Sequence, residues 1–166
     1  ILTSASQKGA QRFIECYSAA TGKPVWSKTL GGETHPKHAL NSYASATPVT
    51  DGKRVFVSWG DNDEFFMMAH DLKNGKELWR TQLGVSLSDD GHGTAVSPVL
   101  FEDLVIILNE HDTSLGYIAA LDQETGKVRW KLDRKINKMT YSTPILVEHG
   151  GKTQLINACL DDGLMG

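Results

Sequence analysis

One eleven-residue phrase occurs three times in this chain, each copy ending in tryptophan. The copies are Cys16-Tyr-Ser-Ala-Ala-Thr-Gly-Lys-Pro-Val-Trp26, Ala69-His-Asp-Leu-Lys-Asn-Gly-Lys-Glu-Leu-Trp79 and Ala120-Leu-Asp-Gln-Glu-Thr-Gly-Lys-Val-Arg-Trp130. Each has a small residue first, Gly-Lys at the seventh and eighth places and Trp at the eleventh. The tryptophans are 53 and 51 residues apart. A period near fifty means a repeat architecture. Each unit buries its apolar face only against its neighbours, so any activity belongs to an assembly larger than one unit.

A second phrase runs in phase with the first: Ser45-Ala-Thr-Pro48-Val49, Val96-Ser-Pro98-Val99 and Ser142-Thr-Pro144-Ile145. A turn follows each copy, then an apolar run such as Arg54-Val-Phe-Val-Ser-Trp59 or Leu104-Val-Ile-Ile-Leu108. A third run precedes each tryptophan phrase, and a fourth follows its Gly-Lys. These short β-branched and aromatic runs between Gly, Asn and Asp read as strands, and no stretch sustains a helical apolar period. The unit is four strands, A to D. Proline cannot donate to a ladder, so Pro48, Pro98 and Pro144 in strand A and Pro24 at the start of strand D make A and D the sheet edges. Asp71 and Asp122 are expected to close the C-to-D turns through backbone amides, with Gly75 and Gly126 at positive φ. In the first copy Ser18 stands at the aspartate position. The expected fold is all-β, a propeller of four-stranded antiparallel blades.

The phrase Ala-x-Asp-x-x-Thr-Gly-Lys-x-x-Trp resembles the tryptophan-docking motif of the PQQ-like, or quinoprotein-like, β-propellers. The copy from Ala120 to Trp130 fits at every defined position. The others depart at Asn74, Cys16 and Ser18. The resemblance covers about residues 1–163. It implies tryptophans docked between blades, and eight blades in a complete ring. The Gly91–Pro98 and Asn41–Ser45 phrases are similar to those of large bacterial proteins of this class. The blade parts fall at about 1–30, 45–83, 96–133 and 142–166, roughly three blades cut mid-blade at both ends. The chain is therefore expected to be an open arc, a fragment of a longer propeller or part of a larger assembly.

Forty per cent hydrophobic and 22% charged residues describe a globular chain. A net charge of −3, with no basic run or aromatic platform, argues against nucleic acid as a partner. No apolar run approaches the ~20 residues of a membrane helix. Cys16 and Cys159 are expected to be buried free thiols about three blades apart. The resemblance implies export, hence a periplasmic or extracellular location. The adjacent cysteine pair familiar from PQQ-dependent alcohol dehydrogenases is not in this sequence.

Propellers bind on a rim or in the central channel, which points to the D-to-A connections. The first holds His35, His38, Asn41 and Tyr43, the second His92 and Thr94, the third Tyr141. All seven are candidate ligand-binding residues, because four-stranded blades need only short links and long loops carry function. His35, His38 and His92 with Asp89 or Asp90 have the chemistry of a divalent-metal site. Their spacing matches no recognised zinc pattern, and solvated or backbone-bonded histidines are the preferred reading. No metal site and no catalytic residue is assigned. His70, alternating within strand C, reads as a core or inter-blade hydrogen-bonding residue.

Two functions from different classes remain open. The favoured one is a non-catalytic binding or assembly scaffold without a cofactor. Its partner would be a protein, a cell-surface polysaccharide or the rest of its own propeller. The alternative is part of a quinoprotein dehydrogenase that oxidises alcohols or sugars with PQQ and calcium. That reading requires a tryptophan platform, Arg or Lys for the quinone carboxylates, and Glu, Asn or Asp for calcium. Trp59, outside the repeated phrase at the end of a strand B, makes a poor platform.

Overall fold

Short strands joined by tight turns account for all the regular structure among the described residues. The computed structural model describes residues 1–6, 8–35, 37–61, 64–86, 95–110, 116–135, 140–159 and 163–165. Sheet 1 comprises β1 (Leu2–Ala5), β2 (Gln11–Tyr17) and β3 (Pro24–Gly31). Sheet 2 comprises β4 (Val49–Thr50), β5 (Arg54–Asp61), β6 (Glu64–Asp71) and β7 (Glu77–Gly84). Sheet 3 comprises β8 (Val99–Phe101), β9 (Leu104–Asn109), β10 (Gly116–Asp122) and β11 (Val128–Arg134). Sheet 4 comprises β12 (Ile145–His149), β13 (Lys152–Cys159) and β14 (Gly163–Met165). In every sheet the strands lie side by side in chain order, antiparallel throughout.

Strands A and D are the edges of the two four-stranded sheets, as the prolines require. One detail differs. Pro48, Pro98 and Pro144 stand immediately before strand A, which begins at Val49, Val99 and Ile145. Fixed φ and a missing N–H suit the entry to a strand as well as its edge.

The repeated phrase has a local explanation. Its first, small residue is the cross-strand partner of its tryptophan: Cys16 opposite Trp26, Ala69 opposite Trp79, Ala120 opposite Trp130. The register shifts just after that pair in all three repeats, so the strand bends into the C-to-D turn. Asp71 Oδ1 accepts from the amides of Lys73 and Asn74, and Asp122 Oδ1 from those of Glu124 and Thr125. The Thr125 hydroxyl also donates to Asp122 and, with these amides, holds its carboxyl below the ordinary range. In the first copy the backbone carbonyl of Ser18 accepts from the amides of Thr21 and Gly22.

Neighbouring sheets meet through these turns. The Trp26 indole donates to Leu72 O of sheet 2 at 2.8 Å, and the Trp79 indole to Gln123 O of sheet 3 at 3.0 Å. Each ring lies over the glycine of that turn. A Cβ on Gly75 would fall 2.7 Å from Trp26, and one on Gly126 2.6 Å from Trp79. Trp130, on the last complete sheet, is 41% exposed.

Two apolar clusters fill the seams. Ile14, Val55, Val57, Trp59 and Met68 pack between sheets 1 and 2, with Trp26 and Leu30 against them. Phe56, Met67, Val105, Ile107, Tyr117 and Leu121 pack between sheets 2 and 3. The run Leu104 to Leu108 thus serves both faces of a central strand, and Val105 to Leu108 are buried.

At the starts of the A strands a polar belt runs from sheet to sheet. The amide of Thr47 donates to Ser97 Oγ at 2.8 Å, and the amide of Ser97 to Thr143 Oγ1 at 3.4 Å. Each of these residues directly precedes a proline. Both cysteines are free thiols. Cys159 is buried, whereas Cys16 is only half-buried: the alanines at its position in sheets 2 and 3 are fully buried, but sheet 1 packs against a neighbour on one face only among the described residues.

Candidate functional site

The three D-to-A crossovers span 32–48, 85–98 and 135–144. Buried polar side chains from the adjoining sheets fasten each one. At the first, Arg12 of β2 is 2% exposed and reaches across the seam. Its Nη1 donates to Gly60 O at 2.7 Å, and its Nη2 to Asp61 Oδ1 at 2.9 Å and to Glu33 O at 3.4 Å. Asp61 Oδ1 also accepts from the Glu33 amide at 2.9 Å. Burial pulls the Arg12 guanidinium below its ordinary value, and Asp61 opposes the drop. The guanidinium carbon lies 5.5 Å from the Trp59 ring and 5.8 Å from the Tyr43 ring, so a cation sits between two aromatic groups.

At the second crossover the anchors are neutral. Tyr117 donates to Leu83 O at 2.6 Å, and Asn109 Nδ2 to Val85 O at 2.9 Å and to the Tyr117 hydroxyl at 3.1 Å. Burial pushes the Tyr117 phenol up to about 12, partly countered by the bond from Asn109. Lys131 Nζ stands 4.1 Å from the centre of the Tyr117 ring. At the third crossover the centre is Glu110, whose side chain is fully buried. It accepts from Arg134 and Thr140, and from Asn157 Nδ2 of sheet 4 at 3.3 Å. Both oxygens of this buried carboxylate therefore have donors, so neither is left unpaired in the interior.

The residues expected to bind a ligand in the first crossover hold that loop together. The Tyr43 hydroxyl donates to His35 O at 2.6 Å, and the two rings meet edge to face at 4.9 Å. Asn41 N donates to His38 O at 3.0 Å, and Leu40 N to His38 Nδ1 at 3.2 Å. Asn41 Oδ1 accepts from Ser42 N and Ser45 Oγ, while Lys37 Nζ donates to Asn41 O at 2.7 Å. His35 is thereby brought to Tyr43, and His38 to Asn41. Tyr141, 42% exposed, stands in the third crossover ahead of β12. His92 and Thr94, with Asp89 and Asp90 of the metal constellation, lie outside the described residues. So does His111. Among the described residues no three of His, Cys, Asp or Glu are grouped to hold a metal ion.

Sequence reasoning did not single out Arg12, Asp61, Asn109, Glu110, Tyr117, Arg134 or Asn157. A faint signal existed. Trp59, Asn109 and Cys159 occupy one position of strand B in successive repeats, each opposite the first residues of strand C. A polar residue at Asn109, followed by Glu110, interrupts an apolar run where the repeat leaves its strand. His70 is 1% exposed and its Nδ1 lies 3.1 Å from Gly75 O of the same sheet.

The described residues do not fit PQQ with calcium. Trp59 is 6% exposed and wedged among Ile14, Val57 and Met68 beside Arg12, so it offers no open face to a quinone. The carboxylates of Asp61 and Glu110 are already engaged by Arg12 and Arg134.

Four-stranded antiparallel meanders, repeated in register and joined face to face by side chains of the preceding repeat, define a partial β-propeller. Residues 4–157 match the family described as outer membrane protein assembly factor BamB, a PQQ-like repeat family, and the chain belongs to it. The dehydrogenase subunit of the quinone-dependent alcohol dehydrogenase of Acetobacter aceti is 29% identical over 126 residues, 71% of this chain. This chain spans only 16% of that relative's length. Among solved structures, BamB from Moraxella catarrhalis superposes with a TM-score of 0.53 at 20% identity, over 99% of this chain and 48% of that one. The quinohemoprotein alcohol dehydrogenase ADHIIG from Pseudomonas putida HK5 gives 0.55 at 16% identity, over 89% and 29%. These likenesses establish the fold.

Proposed function

We propose that this chain is part of a PQQ-like propeller that acts as a binding or assembly scaffold outside the cytoplasm. Its partner is a protein, and its crossover loops form the docking rim. One observation supports this reading above the others. The polar side chains of the crossover region are spent on fastening loop to sheet, Arg12 and Asp61 to Glu33, Asn109 to Val85 and Glu110 to Thr140, and on closing the first loop on itself, Tyr43 to His35. The described part of the first crossover, held this way, presents a fixed surface, which lowers the ordering cost of binding a partner. His35, His38, Asn41, Tyr43 and Tyr141 are proposed to act through that surface. Membership of a family described as an assembly factor supports the same reading. No helix among the described residues is long and apolar enough to cross a membrane.

The likeness to the Acetobacter aceti subunit favours the second reading, a piece of a quinoprotein dehydrogenase. One experiment separates them. The full-length protein is titrated with PQQ and calcium and followed by absorbance, then assayed for dye reduction with alcohols. The scaffold reading expects no saturable cofactor signal at micromolar PQQ. It also expects a partner captured by cross-linking at the rim, lost when Tyr43 and Tyr141 are replaced. Saturable PQQ binding with alcohol-dependent turnover would establish the dehydrogenase instead.

A further inference from the structure

The seam between sheets 1 and 2 contains a half-enclosed cavity of about 20 Å3, lined by Arg12, Gly31, Trp59, Asp61, Phe66 and Arg80 among others. Two of the lining residues that carry N–H donors are more than nine-tenths buried, Arg12 and Trp59. Each keeps one N–H without an acceptor among the described residues, Arg12 at Nε and Trp59 at Nε1. The rest of the Arg12 guanidinium is committed to Gly60, Asp61 and Glu33. Buried donors almost always find a partner, so two beside one cavity demand an acceptor with two lone pairs. The volume selects a single atom, since about 10–15 Å3 is enough for one water.

The walls select its charge. Arg12 is neutralised by Asp61, and Arg80 pairs with Glu77 at 2.8 Å. An anion would meet the Asp61 carboxylate with no net positive charge to compensate. A metal cation would face two N–H donors and a guanidinium. A neutral oxygen that accepts twice and donates once satisfies every wall, with Asp61 taking the donated proton. We propose that this cavity is a binding site for one water molecule, held by Trp59 Nε1, Arg12 Nε and Asp61. The site lies where Gly31 and Gly32 begin the first crossover. A Cβ on Gly32 would fall 2.9 Å from Arg12 Nε, so glycine there leaves room for the guanidinium edge that binds the water. The water then completes the joint that Arg12 makes between β2, the end of β5 and Glu33.

The test is a crystal structure of the full-length protein, with a second crystal soaked in bromide and measured at the bromine edge. The expected result is one spherical peak within hydrogen-bond reach of both nitrogens, with no anomalous signal in the bromide crystal. An anomalous peak there would make the site anionic and overturn the proposal, as would a cavity without density. In solution the Trp59 indole proton, assigned by its loss in Trp59→Phe, is expected to cross-relax with a long-lived water. An indole proton with no such cross-peak would also overturn it.

Discussion

Two buried side chains give the sharpest tests at the scale of single residues. Burial holds the His70 imidazole below its ordinary value. The Gly75 carbonyl and Glu77 oppose that shift, while Arg80 and Lys28 add to it. On acidification the unfolded chain takes up its proton first, at about pH 6.5. Stability from this group is therefore flat above that pH and falls below it, down through the lower folded-state value. Urea denaturation at about pH 7.5 and about pH 5.5 should show a loss in the wild type that shrinks in His70→Gln. An equal loss in both proteins would remove His70 as the cause. The repeat tryptophans offer a second test. Trp79 bonds to Gln123 O and covers Gly126, so Trp79→Ala should destabilise by about 3 kcal/mol. Trp130, 41% exposed, should lose only about 1 kcal/mol on the same change. Denaturant midpoints of the two variants check the ordering.

At the scale of elements, the C-to-D turns and the crossover anchors behave differently under mutation. Gly22 and Gly126 share a left-handed backbone, with φ of 69° and 70°. A methyl group at Gly22 meets nothing, whereas at Gly126 it meets the Trp79 ring. Gly22→Ala should therefore cost about 1 kcal/mol from backbone strain alone, and Gly126→Ala distinctly more. Equal midpoints would show that the ring does not depend on the bare glycine. Glu110→Ala removes the buried acceptor shared by Arg134, Thr140 and Asn157 and should cost about 3 kcal/mol. It should also raise amide exchange in the third crossover, read by mass spectrometry. The turns were legible in the sequence because backbone conformation restricts their residues: Asp, Gly and a small residue opposite Trp recur at fixed spacing. The anchors were not. Arg12 meets Asp61 across 49 positions of chain, Tyr117 meets Leu83 across 34, and each seam uses a different chemistry. A charged pair, a phenol with an amide, and a carboxylate with three donors leave no common pattern to read.

For the whole molecule, strand order and blade character followed from proline placement and from the double-sided apolar run of β9, since edge strands and buried strands obey different rules. The candidate rim was legible only as long loops. Those loops hold His35, His38, Asn41 and Tyr43 in contacts that no periodicity encodes. The hydroxyl belt has a consequence for how such a chain changes over time. Ser97 is an acceptor for the repeat before it and a donor to the repeat after it, from the same position of its own repeat. Excising one complete period between successive prolines would bring Thr47 beside Thr143 with donor and hydroxyl still matched. Excising any other length would strand an amide at the join. The whole repeat is therefore the length whose removal or duplication keeps this belt of hydroxyls and amides matched, whereas the seam anchors, which differ from sheet to sheet, would have to be rematched.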